Sequence, residues 1–414
     1  MRVRLLQIID FWVGVPLCFL VSVWHSIFSL IAPRQTEDAI RHILFIELSE
    51  MGSAILAYSS LVQAQRKFPQ AKLYFLIFRK NSESCAILNL IPAENILVID
   101  DSNLLAFSLS TLRALQQLHR IGIDTVIDLE LFSRCTALLT YLSGACRRVG
   151  FHRATNEGLY RGNLLTHDVP YNPHLHIALN FLALVEALQA PATQIPLVKN
   201  DLRSELLDLP QLHANTTEKA QVWELLKRES PELTENNWLL VFNPDPGEAL
   251  PIRGWPVSNF IAVAEQLLSD LPQAIVVVIG LKGSKPYAEK LQHSLGTTRC
   301  LDLTGKTPTL RSVVTLLEFS KVLVTNDSGP AHLAALTALP SVVLYGPETP
   351  ALYGPLSRKA TTLFAHYSCS PCLSALNHRH TRCTENLCLK AISVAEVYQA
   401  TRKALGLPEE QRKA

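Results

Sequence analysis

The residues best placed to do chemistry lie between positions 326 and 332: Asp327, Ser328, Gly329 and His332, entered through Asn326. A Val- and Leu-rich run, Lys321–Thr325, precedes them and reads as a buried strand. Pro330 suits the first helical position, Ala331–Ala338 reads as a helix, and Ser341–Tyr345 as the next strand. A helix that begins on a small polar loop presents unpaired backbone N–H groups and a positive dipole end, and that pairing suits phosphate. An ordinary capped strand-to-helix turn has the same pattern.

Other stretches add candidates. Asn243–Pro256 (NPDPGEALPIRGWP) follows a strand as a long Pro/Gly loop and holds Arg253 and Trp255. Thr304 and Gly305 sit in a loop just before a helix, and Glu50, Gly52 and Ser53 lie where a first strand exits. Farther on, Cys369-x2-Cys372-x10-Cys383-x4-Cys388 has the composition of a tetrahedral zinc site, with His366, His378 and His380 as further candidate ligands. An iron–sulfur site, a disulfide pair and free thiols use the same residues.

These groups need a scaffold, and the chain is rich enough in apolar residues to build one. Hydrophobic residues make up 48% and charged residues 18%, which excludes a disordered chain. Lys+Arg at 38 against Asp+Glu at 36 is too balanced for a nucleic-acid binder, and no such motif is present. Cys18, Cys85, Cys135, Cys146 and Cys300 fall singly in apolar or strand-like stretches, as reduced core thiols do, which implies a reducing compartment.

Phe11–Ala32 contains no Asp, Glu, Lys or Arg and is long enough to cross a bilayer, with Trp12 and Trp24 suited to its interfaces. It reads as a retained anchor, spanning or lying in the surface. Beyond the linker Arg34–Arg41, strand-like and helix-like segments alternate twice. The breaks put an anchor at 1–35, one Rossmann-like domain at 40–200 and a second at 215–395 that includes the Cys-rich segment 366–390. A terminal helix and tail occupy 396–414. The polar stretch Ile195–Asn215 marks the boundary. Alternation of this kind implies parallel sheets covered on both faces, with ligands at the carboxyl ends of the strands and a cleft between facing halves.

Taken in order, Leu48–Leu76, Asp128–Phe151, the Arg-x-Trp-Pro of 253–256, Leu303–Leu310 and the Asp-Ser-Gly-x-x-His-Leu of 327–333 resemble the heptosyltransferase-like family of glycosyltransferases from about residue 41 to 403. The resemblance implies a two-Rossmann (GT-B type) fold, a nucleotide-diphosphate sugar donor on the C-terminal half and a lipopolysaccharide-like or lipid-linked glycan acceptor on the N-terminal half. It also implies inversion at the anomeric centre without a metal for chemistry, at the cytoplasmic side of an inner membrane. Arg253 then matches a basic residue, usually lysine, on donor phosphate. Asp327, Ser328 and Gly329 match the loop holding sugar and diphosphate, with His332 behind it, and Thr304 and Gly305 a loop near the nucleoside. Asn243 opens the Arg253 loop.

One departure stands out. The family places an aspartate base after the glycine of the first loop, and here Ser53 stands there. A hydroxyl is a poor base at neutral pH, so Glu50, three residues earlier, is the expected substitute. If Glu50 is merely solvated, the chain becomes a sugar-nucleotide or glycan binding protein of the same fold. A nucleotide-sugar epimerase shares the architecture, but the first loop and the anchor speak against it. The cluster Arg147, Arg148, Arg153 and Arg161 is expected either to meet acceptor phosphates or to form a solvated basic face.

Overall fold

The computed structural model describes residues 3–29, 39–152, 159–247 and 250–408. Arg153, the far end of the expected anchor, most of the linker after it and the last residues of the tail lie outside these. The chain divides into one unit of Met1–Leu207 with Ala375–His378, and a second of Asp208–Ser374 with Arg379–Ala414. That division falls inside the expected boundary stretch.

The first unit is a parallel six-stranded sheet in the order β3-β2-β1-β4-β5-β6. Its strands are β1 (His42–Ile46), β2 (Lys72–Phe78), β3 (Ile96–Ile99), β4 (Thr125–Asp128), β5 (Arg147–Phe151) and β6 (His167–Val169). Eight helices accompany them: α1 (Val3–Trp12), α2 (Gly14–Ser29), α3 (Met51–Leu56), α4 (Tyr58–Lys67), α5 (Ser82–Ala86), α6 (Leu104–Ile121), α7 (Arg134–Leu142) and α8 (Ile177–Ala187). Continuous burial along β1 and β2, interrupted only at their first residues, is what a sheet covered on both faces requires. α6 and α7 cover one face through Ala114, Leu118 and Leu139, packed on Leu44, Ile46, Leu76, Leu97, Ile99 and Val126.

The second unit repeats the plan in the order β12-β11-β10-β7-β8-β9, again parallel. Its strands are β7 (Trp238–Asn243), β8 (Ala274–Val278), β9 (Cys300–Asp302), β10 (Val322–Asn326), β11 (Ser341–Tyr345) and β12 (Ala360–Phe364). Its helices are α9 (Thr216–Glu229), α10 (Val257–Asp270), α11 (Lys285–Leu295), α12 (Leu310–Phe319), α13 (Gly329–Ala334), α14 (Pro350–Tyr353), α15 (Leu387–Lys390) and α16 (Val394–Ala404). The expected separate C-terminal helix is part of this unit: Val397 and Tyr398 of α16 are buried in its main core with Phe260 and Leu267 of α10.

Two expectations are corrected here. The helix expected over Ala331–Ala338 ends at Ala334, because Thr337 Oγ1 donates to the Ala334 carbonyl (2.9 Å) and diverts it from further helix. The apolar N-terminal stretch is a helix pair, and it lies against the first unit. Ile8–Ile27 is long and apolar enough to cross a bilayer by length and composition, with 17% of it buried. However, Asp10 Oδ1 accepts from Arg134 N and Cys135 N (both 2.9 Å) at the start of α7. Ser22 Oγ accepts from Asn163 N (2.8 Å), and Cys18 packs with Ala137 and Leu164.

Gly162 makes this docking possible. Its φ is +75°, and a Cβ there would meet Ser22 Oγ at 2.4 Å and the Cys18 carbonyl oxygen at 2.8 Å. Gly162→Ala should therefore push α2 off its seat. We expect about 1–3 kcal/mol of destabilisation, read as a lower first melting transition.

Candidate functional site

The expected donor-side residues gather at the carboxyl edge of the second sheet. Asn243 ends β7. Its Oδ1 accepts from Thr325 Oγ1 (3.1 Å) and Ser328 Oγ (3.0 Å), while its Nδ2 donates to the Ile279 carbonyl (3.0 Å). Asn326 ends β10 and clamps the loop after β7: its Oδ1 accepts from Trp255 N (2.9 Å) and its Nδ2 donates to the Pro244 carbonyl (2.8 Å). Trp255 is thereby sealed into the core and is packing, with its indole N–H on the Ile392 carbonyl (3.0 Å).

The clamp sets Arg253 against Asp327, Nη1 to Oδ2 at 3.2 Å. Burial pushes the Asp327 carboxyl up, and the Arg253 charge opposes it. Arg253 Nε is buried with no hydrogen-bond partner among the described residues, so the guanidinium keeps donor capacity after engaging Asp327. Ser328 occupies the N-cap of α13 without capping it, because its hydroxyl is spent on Asn243. α13 has only 6 residues, so its dipole is a minor contributor. Gly329 opens it, and His332 is buried one turn in.

The neighbouring loops complete this edge. Thr304 N and Oγ1 both donate to Asp302 Oδ1 (2.8 and 2.6 Å). Gly305 has φ +68° and backs onto the Lys282 backbone, where a Cβ would meet Lys282 Cα at 2.9 Å. Asp245 accepts from Ser284 Oγ and from Gly247 N.

Glu348, after β11, was not expected. It is buried 3.1 Å from Arg379 Nε, an ion pair by distance but without hydrogen-bond geometry. Burial pushes its carboxyl up to about 8; the Asp327 charge adds and the Arg253 charge opposes. Its signal in the sequence was faint: a lone acid after the buried strand Ser341–Tyr345 and Gly346-Pro347.

In the first unit, Glu50 is the N-cap of α3. Ser53 Oγ donates to Glu50 Oε2 (2.9 Å), and Glu50 N donates to Glu47 Oε1 (3.2 Å). Gly52 lies inside α3 and not in the turn where it was expected. Glu130, also missed, ties this loop to the end of β4. Its Oε1 accepts from Leu48 N (2.9 Å), Ser49 N (2.9 Å) and Ser49 Oγ (2.8 Å). Burial raises its carboxyl; the Ser49 hydroxyl opposes and the Asp128 charge adds.

Several other charged groups are held by the protein itself. Asp128 is fully buried on Arg161 and on Thr136 Oγ1 (2.9 Å). Arg161 also donates to the carbonyls of Ser133 (2.9 Å) and Phe151 (3.0 Å), and Arg148 to those of Leu164 (2.6 Å) and Ala145 (2.7 Å). These two arginines are core groups and do not form a surface for acceptor phosphate. Asp100 and Asp101 are paired with Arg79 and Lys80.

Cys369 and Cys383 are exposed, Cys372 is half-buried and Cys388 is buried beside Gly346, and among the described residues no disulfide joins any of the four. Among the described residues no three His, Cys, Asp or Glu side chains form a metal-holding group, so Cys369, Cys372, Cys383 and Cys388 do not fit the tetrahedral zinc set as they stand. The segment is instead pinned by its backbone, with Cys372 N and Leu373 N on the Pro347 carbonyl (both 2.9 Å).

Two parallel Rossmann-like units, one with polar loops and a buried guanidinium at its carboxyl edge, define a nucleotide-type α/β protein. The profile of glycosyltransferase family 9 (heptosyltransferase) matches residues 111–381, more than half of the chain, and the chain belongs to that family. Lipooligosaccharide heptosyltransferase 2 of Haemophilus influenzae is 31% identical over 199 residues, 47% of this chain and 52% of that protein. Lipopolysaccharide heptosyltransferase 2 of Escherichia coli K12 is 32% identical over 233 residues, 55% and 61% of the two chains. The chain thus spans about half the length of the curated relatives it matches. The solved structure of E. coli ADP-heptose lipopolysaccharide heptosyltransferase II superposes with a TM-score of 0.66 at 21% identity, over 88% of this chain and 98% of that one. It shows that the two share the GT-B-like fold.

Glu348 gives a signed pH test. A carboxyl raised from 4.5 to about 8 holds its proton longer in the folded state, so stability falls as pH rises through that window. Glu348→Gln should match wild type in chemical denaturation at about pH 4.5 and exceed it by about 1–3 kcal/mol at about pH 8.5.

Proposed function

We propose that this chain is an inverting glycosyltransferase that moves a sugar from a nucleotide diphosphate to a lipopolysaccharide-like or lipid-linked glycan acceptor at the cytoplasmic side of an inner membrane. The observation that carries the reading is the gathering of Asn243, Arg253, Thr304, Gly305, Asp327 and Ser328 at one sheet edge in a family 9 chain. ADP-heptose is the donor suggested by the name of the E. coli relative.

The leaving group is a diphosphate, so the transition state places growing negative charge where oriented donors must meet it. Arg253 supplies the positive charge that opposes it. Asp327 holds its Nη1, which fixes the fork and leaves Nε directed to other acceptors. An arginine where the family usually has lysine trades a point charge for two-pronged contact. Gly305 lets its loop turn tightly onto Lys282 beside the nucleoside, and Gly329 lets backbone approach the diphosphate closely.

On the acceptor side, Glu50 takes the proton of the attacking hydroxyl. The Ser53 hydroxyl, which replaces the family's aspartate, donates to Glu50 Oε2 and aims the carboxylate; Ser53 acts through Glu50 and does not itself accept the proton. No step requires a metal on the reacting atoms. The N-terminal apolar helices bring the enzyme to its acceptor's membrane, where tethering raises effective concentration.

The alternative, a binding protein without turnover, is favoured by Ser53 alone. Glu50→Gln separates the two. We expect unchanged thermal stabilisation by ADP-heptose and a loss of transfer of about 10²–10⁴-fold. Unchanged turnover would remove Glu50 from the mechanism, and absence of transfer in wild type on a panel of sugar acceptors would favour the binding protein. Arg253→Lys should raise the donor KM by roughly tenfold, since it keeps the charge and loses the fork.

A further inference from the structure

The first unit carries a second exposed apolar surface that the N-terminal helices do not explain. Leu104, Leu105, Leu109 and Leu112 of α6 are all exposed, Leu105 by 69%. On a helix of 3.6 residues per turn Leu105, Leu109 and Leu112 fall within about 60° of one another, turned away from Ala114 and Leu118, which face the sheet. α6 contains no Asp or Glu, and Arg113 and Arg120 are exposed beyond the leucines.

The two apolar surfaces lie on the same side of the first sheet. α6 and α7 pack on one cluster, and α2 is laid against the other side of α7 through Ala137. Both also reach the carboxyl end of that sheet. Leu104 and Leu105 follow β3, while Phe11 lies over the Arg134 guanidinium at the start of α7, beside Trp12, which is 72% exposed.

We propose that this side of the first unit, made of α6 and the outward faces of α1 and α2, is seated in the headgroup–acyl boundary of an anionic phospholipid bilayer. The proposal rests on the reading that the N-terminal helices meet a membrane, and it adds where and how. α2 does not cross. Asp10 at the end of α1 and Ser22 within α2 tie the helix pair lengthwise to a polar domain, and a pair so docked enters a membrane from one side only. The occupant is a bilayer because the surface combines aliphatic residues and Trp12 and Trp24 with a basic border and no free carboxylate on its helices, the signature of an interfacial face on anionic lipid. The carboxyl edge that holds Glu50 then sits next to the headgroups, where a lipid-linked acceptor presents its sugar.

The test is flotation of the purified full-length protein with sealed vesicles of phosphatidylethanolamine and phosphatidylglycerol, alongside sedimentation without lipid. Leu105→Glu with Leu109→Glu should lower partitioning roughly tenfold with the melting temperature and ADP-heptose-induced shift unchanged. An N-terminal tag on vesicle-bound protein should stay open to added protease. Partitioning equal to wild type in this variant, when Leu20→Glu with Trp24→Glu does lower it, overturns the α6 face and leaves the membrane reading standing. Failure of wild type to float overturns both. A tag protected from protease, or a variant that changes only from dimer to monomer, also overturns the proposal, the latter by making a second copy the occupant.

Discussion

A guanidinium and a carboxylate held 3.2 Å apart with little water around them set the terms for the second unit. Each ion would be costly to bury alone, and removing either partner from such a pair typically costs about 3–5 kcal/mol. The pair therefore demands that two distant loops meet, one leaving β7 and one leaving β10. Asn243 and Asn326, the last residues of those neighbouring strands, do the joining through side-chain amides that bridge backbone and hydroxyl groups. Parallel pairing brings both amides to the same sheet edge, so the register of the strands decides where Arg253 can point.

The first unit contains a pair of the same composition with the opposite outcome. Arg161 and Asp128 also meet at a carboxyl strand end, but all three nitrogens of Arg161 donate to protein: two carbonyls, a threonine hydroxyl and the carboxylate. It locks β4, β5 and α7 together, with every one of its nitrogens engaged on protein. Arg253 retains a buried Nε without a partner. Saturation, and not charge or burial, separates a structural arginine from one able to bind. The acidic groups show a similar division, since Asp128 is closed in while Glu50 keeps its place at the start of α3 with a serine donor on one oxygen.

That distinction explains what could be read beforehand. The alternation of strands and helices, the boundary near 208 and the strand at Ser341–Tyr345 follow from periodicity and turn residues, which are local properties. The grouping of Asn243, Arg253, Thr304 and Asp327 was legible because strand ends in a parallel sheet share an edge. Which arginine is saturated depends on loops far apart in the chain, so Arg148 and Arg161 passed for a basic surface. Glu130 and Glu348 escaped because one acid after a strand looks like any other until tertiary packing buries it.

The N-terminal stretch shows the same limit from the other direction. Length and freedom from charge over most of Phe11–Ala32 permit a bilayer crossing, and those are the only quantities hydropathy contains. Asp10 lies just before that window, and it adds a polar contact that hydropathy does not count. A carboxylate on the backbone amides at the start of α7 joins the apolar helix to the polar domain by charge at a helix terminus. The glycine under Cys18 then allows an approach that a side chain would block. A helix pair held at Asp10 of α1 and Ser22 of α2 cannot leave the domain without uncovering α7. The same residues that make it apolar enough for lipid must therefore serve two surfaces at once, Cys18 inward and Trp12, Leu20 and Trp24 outward. Its composition is set by both demands, which is why hydropathy alone overstates how much of it lipid must cover.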